Sequence, residues 1–262
     1  PMPFAANIYY FEHQGDNSYT PPIVLIHGAG GSQLHWPAPI RRLSGFPIYA
    51  LDLPGHGKSI GRGYQSINAY VECVLEWMNA VELRQAVFVG HSMGGAIALS
   101  LGLDHPERVL GLGIVGSGAR LKIDPVLLES ASRKETFPAT IETITEWAFD
   151  PQADHRLVEL AAKRVAEVRP SVLHSDFLAC DSFNKLDSLE SLSAPTFILC
   201  GEHDKMTPPR YSQYLADHIS GAKITIISDA GHMVQLEKPA LVAEALREYF
   251  SSIPYQPGAR GK

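Results

Sequence analysis

A chain of 262 residues, 45% hydrophobic and 19% charged, carries enough apolar material for a large core, which excludes a disordered or fibrous protein. The net charge of −6, with no run of Lys or Arg, excludes a basic face for phosphate backbones, so no nucleic-acid partner is expected. At this length one elaborated domain and two modest domains are both compatible with the chain.

Cys73, Cys180 and Cys200 are odd in number, widely spaced and free of any C-x-x-C pair. They read as buried, reduced apolar residues rather than a metal site or redox couple. The amino end, Pro1-Met2-Pro3-Phe4-Ala5-Ala6-Asn7, lacks the basic start and apolar run of a secretory signal, and no stretch of ~20 apolar residues follows. The expectation is a soluble cytoplasmic protein without a membrane span. No feature of the sequence fixes the oligomeric state, monomer or dimer.

In chain order, the first expected element is an edge strand at Ile8-Tyr9-Tyr10-Phe11. Apolar runs then recur at Ile23-Val24-Leu25-Ile26, Pro47-Ile48-Tyr49-Ala50-Leu51, Val87-Phe88-Val89, 109–115, Thr196-Phe197-Ile198-Leu199-Cys200 and 224–227. Each is continuous rather than alternating, as in strands covered on both faces. Helical stretches at 67–80, 94–103, 209–219 and 239–250 are long enough to cross from one parallel strand to the next. The predicted architecture is therefore α/β, a parallel sheet with helices on both faces.

The strand-helix alternation lapses between about residues 119 and 192, where helical patterns at 138–147 and 156–168 dominate. Placed after the strand ending at Val115, this insertion is expected over the carboxyl ends of the strands, where open α/β sheets put their ligands. The expected division is a core of 1–118 and 193–254, a helical lid of 119–192 and a loose tail of 255–262.

The strand Val87-Phe88-Val89 runs into Gly90-His91-Ser92-Met93-Gly94-Gly95 and then a small, apolar helix. G-x-S-x-G between strand and helix is a sharp turn that lifts Ser92 Oγ out of the sheet, with glycines where a side chain would collide. Ser92 is the candidate nucleophile. The turn Ile26-His27-Gly28-Ala29-Gly30-Gly31-Ser32 can bring the backbone N–H of Ala29 to a substrate carbonyl, and with the N–H of Met93 it would form an oxyanion hole. A phosphate-cradling reading of these glycines fails, because no G-x-x-x-x-G-K-[ST] or well-placed G-x-G-x-x-G is present. Gly201-Glu202-His203-Asp204 follows one strand and Asp229-Ala230-Gly231-His232 another. Asp204 is the candidate acid, with Glu202 as its rival, and His232 the candidate base. The order Ser92, Asp204, His232 is nucleophile, acid, base.

Other polar and aromatic residues near these turns have structural readings. His27 and His56 read as bonding the backbone of their own loops, His91 as structural, and Asp52 as the anchor of a turn. Trp36, Trp147, Phe149, Phe177 and Phe183 could equally line an acyl pocket or fill the core.

Together with Asp52-Leu53-Pro54-Gly55-His56-Gly57-Lys58-Ser59, these motifs resemble the α/β-hydrolase superfamily, which includes esterases, lipases, carbon–carbon bond hydrolases and cofactor-free haloperoxidases. The resemblance spans residues 8–250 and points to the capped, serine esterase-like branch. It implies an eight-stranded, mostly parallel sheet with helices on both faces and a helical cap between the sixth and seventh strands. Part of the usual first hairpin is not evident in the sequence. The implied activity is cleavage of a small-molecule ester of small to medium acyl chain through an acyl-enzyme, with no metal or organic cofactor. Serine at position 92 separates the chain from dehalogenases and epoxide hydrolases of this fold, which attack with a carboxylate. Carbon–carbon hydrolases of dicarbonyl compounds are the nearest alternative, although their oxyanion turns usually carry a proline that 28–31 lacks. The resemblance also admits a non-hydrolytic member of the same fold, a lyase, synthase or receptor.

Overall fold

Alternate residues of each apolar strand go to opposite faces, and this builds two cores at once. The computed structural model describes residues 3–17 and 19–256. Strands β1 (Phe4–Ala5), β2 (Ile8–His13), β3 (Ile23–Ile26), β4 (Ile48–Leu51), β5 (Ala86–His91), β6 (Val109–Val115), β7 (Thr196–Gly201) and β8 (Lys223–Ile227) form one sheet, ordered β1-β2-β4-β3-β5-β6-β7-β8. Strands β3 to β8 are parallel, and β2 is antiparallel to both β1 and β4.

The helices are α1 (Ala38–Arg41), α2 (Ile67–Ala80), α3 (Met93–Asp104), α4 (Pro125–Ala131), α5 (Phe137–Ala148), α6 (His155–Ala166), α7 (Pro170–Ser182), α8 (Pro209–His218), α9 (Val234–Glu237) and α10 (Pro239–Phe250). Val24, Ile26 and Phe88 pack on one face with Val74 and Trp77 of α2 and Ile97 of α3. Ile23, Leu25, Val87 and Val89 pack on the other with Ile40 of α1 and Leu246 and Phe250 of α10. Burying one such side chain contributes roughly 1.5–3 kcal/mol, so two-sided burial explains why these strands are apolar throughout.

Strand order places the site. The chain steps outward from β3 to β4, then returns across β3 to lay down β5. The crevice at the carboxyl ends of β3 and β5 is thus the switch point of the sheet. His27 and Ser92 leave the sheet there.

The expected edge strand extends to His13, and the structure adds a hairpin partner that the sequence did not reveal. β1 pairs Phe4 with Tyr9 and Ala5 with Ile8 around Ala6 and Asn7, both at positive φ (47° and 65°). Two residues are too few to show alternation, and Asn7 alone marks the turn. Between β6 and β7 lie α4 to α7 and a 3-10 segment at Leu186–Ser191, with no strand. Of the expected tail, residues 257–262 lie outside the described residues. Cys180 and Cys200 are buried, whereas Cys73 is only half-buried. Among the described residues, no helix is long and apolar enough to cross a membrane.

Trp77 fastens α2 to the sheet, meeting Tyr10 and Tyr49 edge-on with ring centroids 5.4 and 5.5 Å away. Trp77→Ala is expected to lower the unfolding free energy by about 3–5 kcal/mol, read as a lower urea midpoint at unchanged slope. A loss under about 1 kcal/mol would show that this contact does not hold the helix.

Candidate active site

The turn between β5 and α3 forces Ser92 to φ 54° and ψ −116°, a conformation that a residue with a side chain rarely adopts. Its surroundings hold it there. The Ser92 N–H donates to the Val115 carbonyl at 2.9 Å, and its own carbonyl accepts from the N–H of Gly95 at 2.9 Å and the Ser117 hydroxyl at 2.8 Å. A β-carbon on Gly90 would collide with the Gly94 carbonyl, and one on Gly94 with the Ile26 carbonyl, so the glycines are required by close approach.

Asp204 follows β7 and is buried. Its Oδ1 accepts the N–H groups of Met206 and Thr207 at 2.9 and 2.8 Å, and its Oδ2 accepts the Thr207 hydroxyl at 2.8 Å. The same Oδ2 lies 2.9 Å from Nδ1 of His232, which is also buried. A carboxylate facing Nδ1 fixes the proton there and leaves Nε2 with its lone pair. Glu202, the rival acid, is exposed. Thr207 was missed in the sequence, although an Asp followed three residues later by Thr is the pattern of a side-chain-anchored turn.

The loop carrying His232 is tied to residues 148–150. Glu237 accepts the N–H of Gly231 and that of Asp150, each at 2.9 Å, and the Met233 N–H donates to the Ala148 carbonyl at 2.9 Å. Asp150, two residues past the end of α5, also bonds His203 beside Asp204.

Ser92, His232 and Ala29 line one cavity of about 260 Å³. Its far walls are apolar and come from the four helices between β6 and β7: Leu127 of α4, Ile144 and Trp147 of α5, Val165 of α6, and Leu173 and Phe177 of α7. Phe149 also lines it, whereas Trp36 and Phe183 are core residues of the sheet. The turn 28–31 lies against Ser92, so that a β-carbon on Gly28 would stand 3.1 Å from Ser92 Cβ. Among the described residues, the N–H groups of Ala29 and Met93 meet no protein acceptor. Both therefore remain available beside Ser92.

Asp52, His27, His91 and His56 have structural partners. Asp52 accepts the N–H groups of Gln33 at 2.7 Å and Lys58 at 2.9 Å. His27 donates Nδ1–H to the Gly28 carbonyl at 2.8 Å and accepts the Leu53 N–H on Nε2 at 3.0 Å, which makes it neutral. His91 turns its Nε2 to the His232 carbonyl at 3.0 Å. His56 bonds the Pro54 carbonyl of its own loop as expected, and also Asp176 of α7, a partner not foreseen. A lone carboxylate between Leu173 and Phe177 was the available signal.

The chain belongs to the alpha/beta hydrolase fold family, whose model matches residues 21–239. It is 25% identical to a pimeloyl-[acyl-carrier protein] methyl ester esterase of Neisseria meningitidis, over 91% of this chain and 79% of that protein. It is 29% identical to a 2-hydroxymuconate semialdehyde hydrolase of a Pseudomonas species, over 88% of this chain and 87% of that one. A solved structure of an N-acyl homoserine lactone degrading enzyme superposes with a TM-score of 0.79 at 31% identity, covering 92% of this chain and 96% of that one.

Burial around this site makes the fold acid-sensitive. Burial and the neighbouring His56 hold His27 well below the ordinary histidine pKa; burial with Arg164 holds His35 at about 4; burial and His232 hold His91 well below the ordinary range. The unfolded chain protonates these groups near 6.5 while the folded one does not, so stability falls as pH drops below 6.5. The slope is roughly 1.4 kcal/mol per histidine per pH unit. Urea unfolding at pH 7.0, 6.0 and 5.0 is expected to show this decline, and His35→Gln to make it shallower. An equal midpoint at all three would contradict it.

Proposed function

We propose that this protein is a serine hydrolase that cleaves carboxylic esters of small to medium acyl chain through an acyl-enzyme. The observation that carries the reading is the buried Asp204–His232 hydrogen bond, which leaves His232 Nε2 as a base in the cavity that Ser92 also lines. Ser92 Oγ attacks the ester carbonyl carbon and gives its proton to His232 Nε2, while Asp204 holds the tautomer and stabilises the imidazolium. The carbonyl oxygen becomes the oxyanion and takes the N–H groups of Ala29 and Met93, a contact typically worth about 100-fold to 1,000-fold in turnover per donor. Collapse breaks the bond to the alcohol, which leaves with the proton from His232. Water then gives a proton to His232, attacks the Ser92 ester, and releases the acid as Ser92 recovers its hydrogen. The segment 119–192 serves as the cap that forms the acyl-binding walls and keeps bulk water from the intermediate.

The choice of ester over carbon–carbon chemistry rests on the cavity's charge. Burying a substrate carboxylate, as an acidic dicarbonyl carries, requires a cation. Among the described residues, the lysine and arginine side chains that line the cavity are Lys122, already bonded to Asp181, and Lys205, which is exposed. The apolar walls suit an uncharged acyl chain.

Nitrophenyl esters from acetate to laurate, with a dicarbonyl carbon–carbon substrate alongside, test this. Rapid ester turnover with an optimum at short to medium chains is expected, falling about 10,000-fold or more in Ser92→Ala and in His232→Ala. An active Ser92→Ala protein, or carbon–carbon cleavage faster than ester cleavage, would overturn the reading.

A further inference from the structure

Asp176 of α7 is fully buried, where an isolated carboxylate is costly. It is not isolated. Oδ2 accepts the Gly30 N–H at 2.8 Å and lies 2.8 Å from His56 Nε2, and Oδ1 accepts the Tyr70 hydroxyl. The other nitrogen of His56 faces the Pro54 carbonyl at 3.1 Å. With acceptors at both nitrogens, both carry protons, so His56 is a cation beside Asp176. Asp52 and the neutral His27 lie near the same ring; burial works against the charge, but the Asp176 charge and hydrogen bond, the Pro54 hydrogen bond and the Asp52 charge together raise the His56 pKa.

A pair of this kind could merely cement α7 to the sheet. Its position on Gly30 gives it more to do. In the turn 28–31, the Gly28 carbonyl is taken by His27 Nδ1–H and by the Gly31 N–H at 3.0 Å, and the Gly30 N–H is taken by Asp176. The Ala29 N–H is the donor left over. Gly30 sits at φ 62°, against Leu173 of α7, and as a glycine it has no side-chain barrier to leaving that conformation. Asp176 supplies that barrier from above the turn.

The geometry points to Asp176 as the positioning residue of the oxyanion hole: from the cap it holds Gly30, and so fixes the Ala29 N–H toward the substrate, making cap seating and oxyanion-hole assembly one event. This rests on the serine-hydrolase reading above. A donor displaced by about 1 Å costs on the order of 100-fold in rate without altering ground-state binding of a small ester.

The test compares wild type, Asp176→Ala, Asp176→Asn and Ser92→Ala on nitrophenyl acetate. It adds inhibition by an alkyl boronic acid, whose tetrahedral adduct on Ser92 places an oxygen in the hole. Asp176→Ala is expected to lose about 100-fold in kcat with KM changed less than about 3-fold, and to lose boronate affinity in parallel. Asp176→Asn keeps an oxygen for Gly30 and is expected to recover about 10-fold of that loss. Should the alanine variant fail to fold, the asparagine variant decides, with a kcat loss of at least about 5-fold at unchanged KM expected. Folded Asp176 variants with wild-type kcat and boronate affinity, or with KM alone altered, would overturn the positioning role while an inactive Ser92→Ala leaves the parent reading intact. Activity in Ser92→Ala would instead overturn the parent reading itself.

Discussion

Everything in this site depends on a serine held in a backbone conformation that serine does not favour. A positive φ at a residue with a side chain costs on the order of 1–3 kcal/mol, and the cost is met by packing around Ser92. Two glycines allow β5, α3 and the end of β3 to approach within distances no β-carbon tolerates. The same approach brings the turn 28–31 against Ser92. The candidate nucleophile, the free backbone donors and the cavity are thus consequences of one local geometry, set by the sheet's switch point.

Around this turn, buried polar groups are paired in ways that fix their charge. His232 faces a carboxylate through Nδ1, His27 donates from one nitrogen and accepts on the other, and His56 donates from both. Identical side chains take different protonation states because their partners differ. Two further connections tie the site's loops to the segment between β6 and β7: Gly30 to Asp176, and Gly231 through Glu237 to Asp150. The helices that wall the cavity and the loops that bear the candidate residues are therefore joined by hydrogen bonds at two points.

Much of the fold is legible in the sequence because two-sided burial leaves a direct mark. The run 23–26 and the helices at 67–80 and 239–250 match the observed bounds, since continuous apolar strands and amphipathic helices have clear edges. β1 is too short to mark itself, and α7 escapes notice because it is buried on more than one side and shows no clean polar face. The candidate residues Ser92, Asp204 and His232 were found from glycine-rich turns at strand ends, which are local signals. Thr207 carries only the short Asp-x-x-Thr pattern, which marks a turn and not a site, and Asp176 bonds partners that only folding brings near, Gly30 lying 146 residues away.

The central claim is that Ser92 is the activated nucleophile, and covalent capture tests it most directly. A fluorophosphonate ester carrying a short alkyl chain, applied to the native protein at neutral pH, should add one phosphonyl group per chain. Peptide mass mapping should place it on Ser92, with loss of labelling when the protein is first unfolded. A label on another residue, or no label on protein that still hydrolyses esters, would contradict the account.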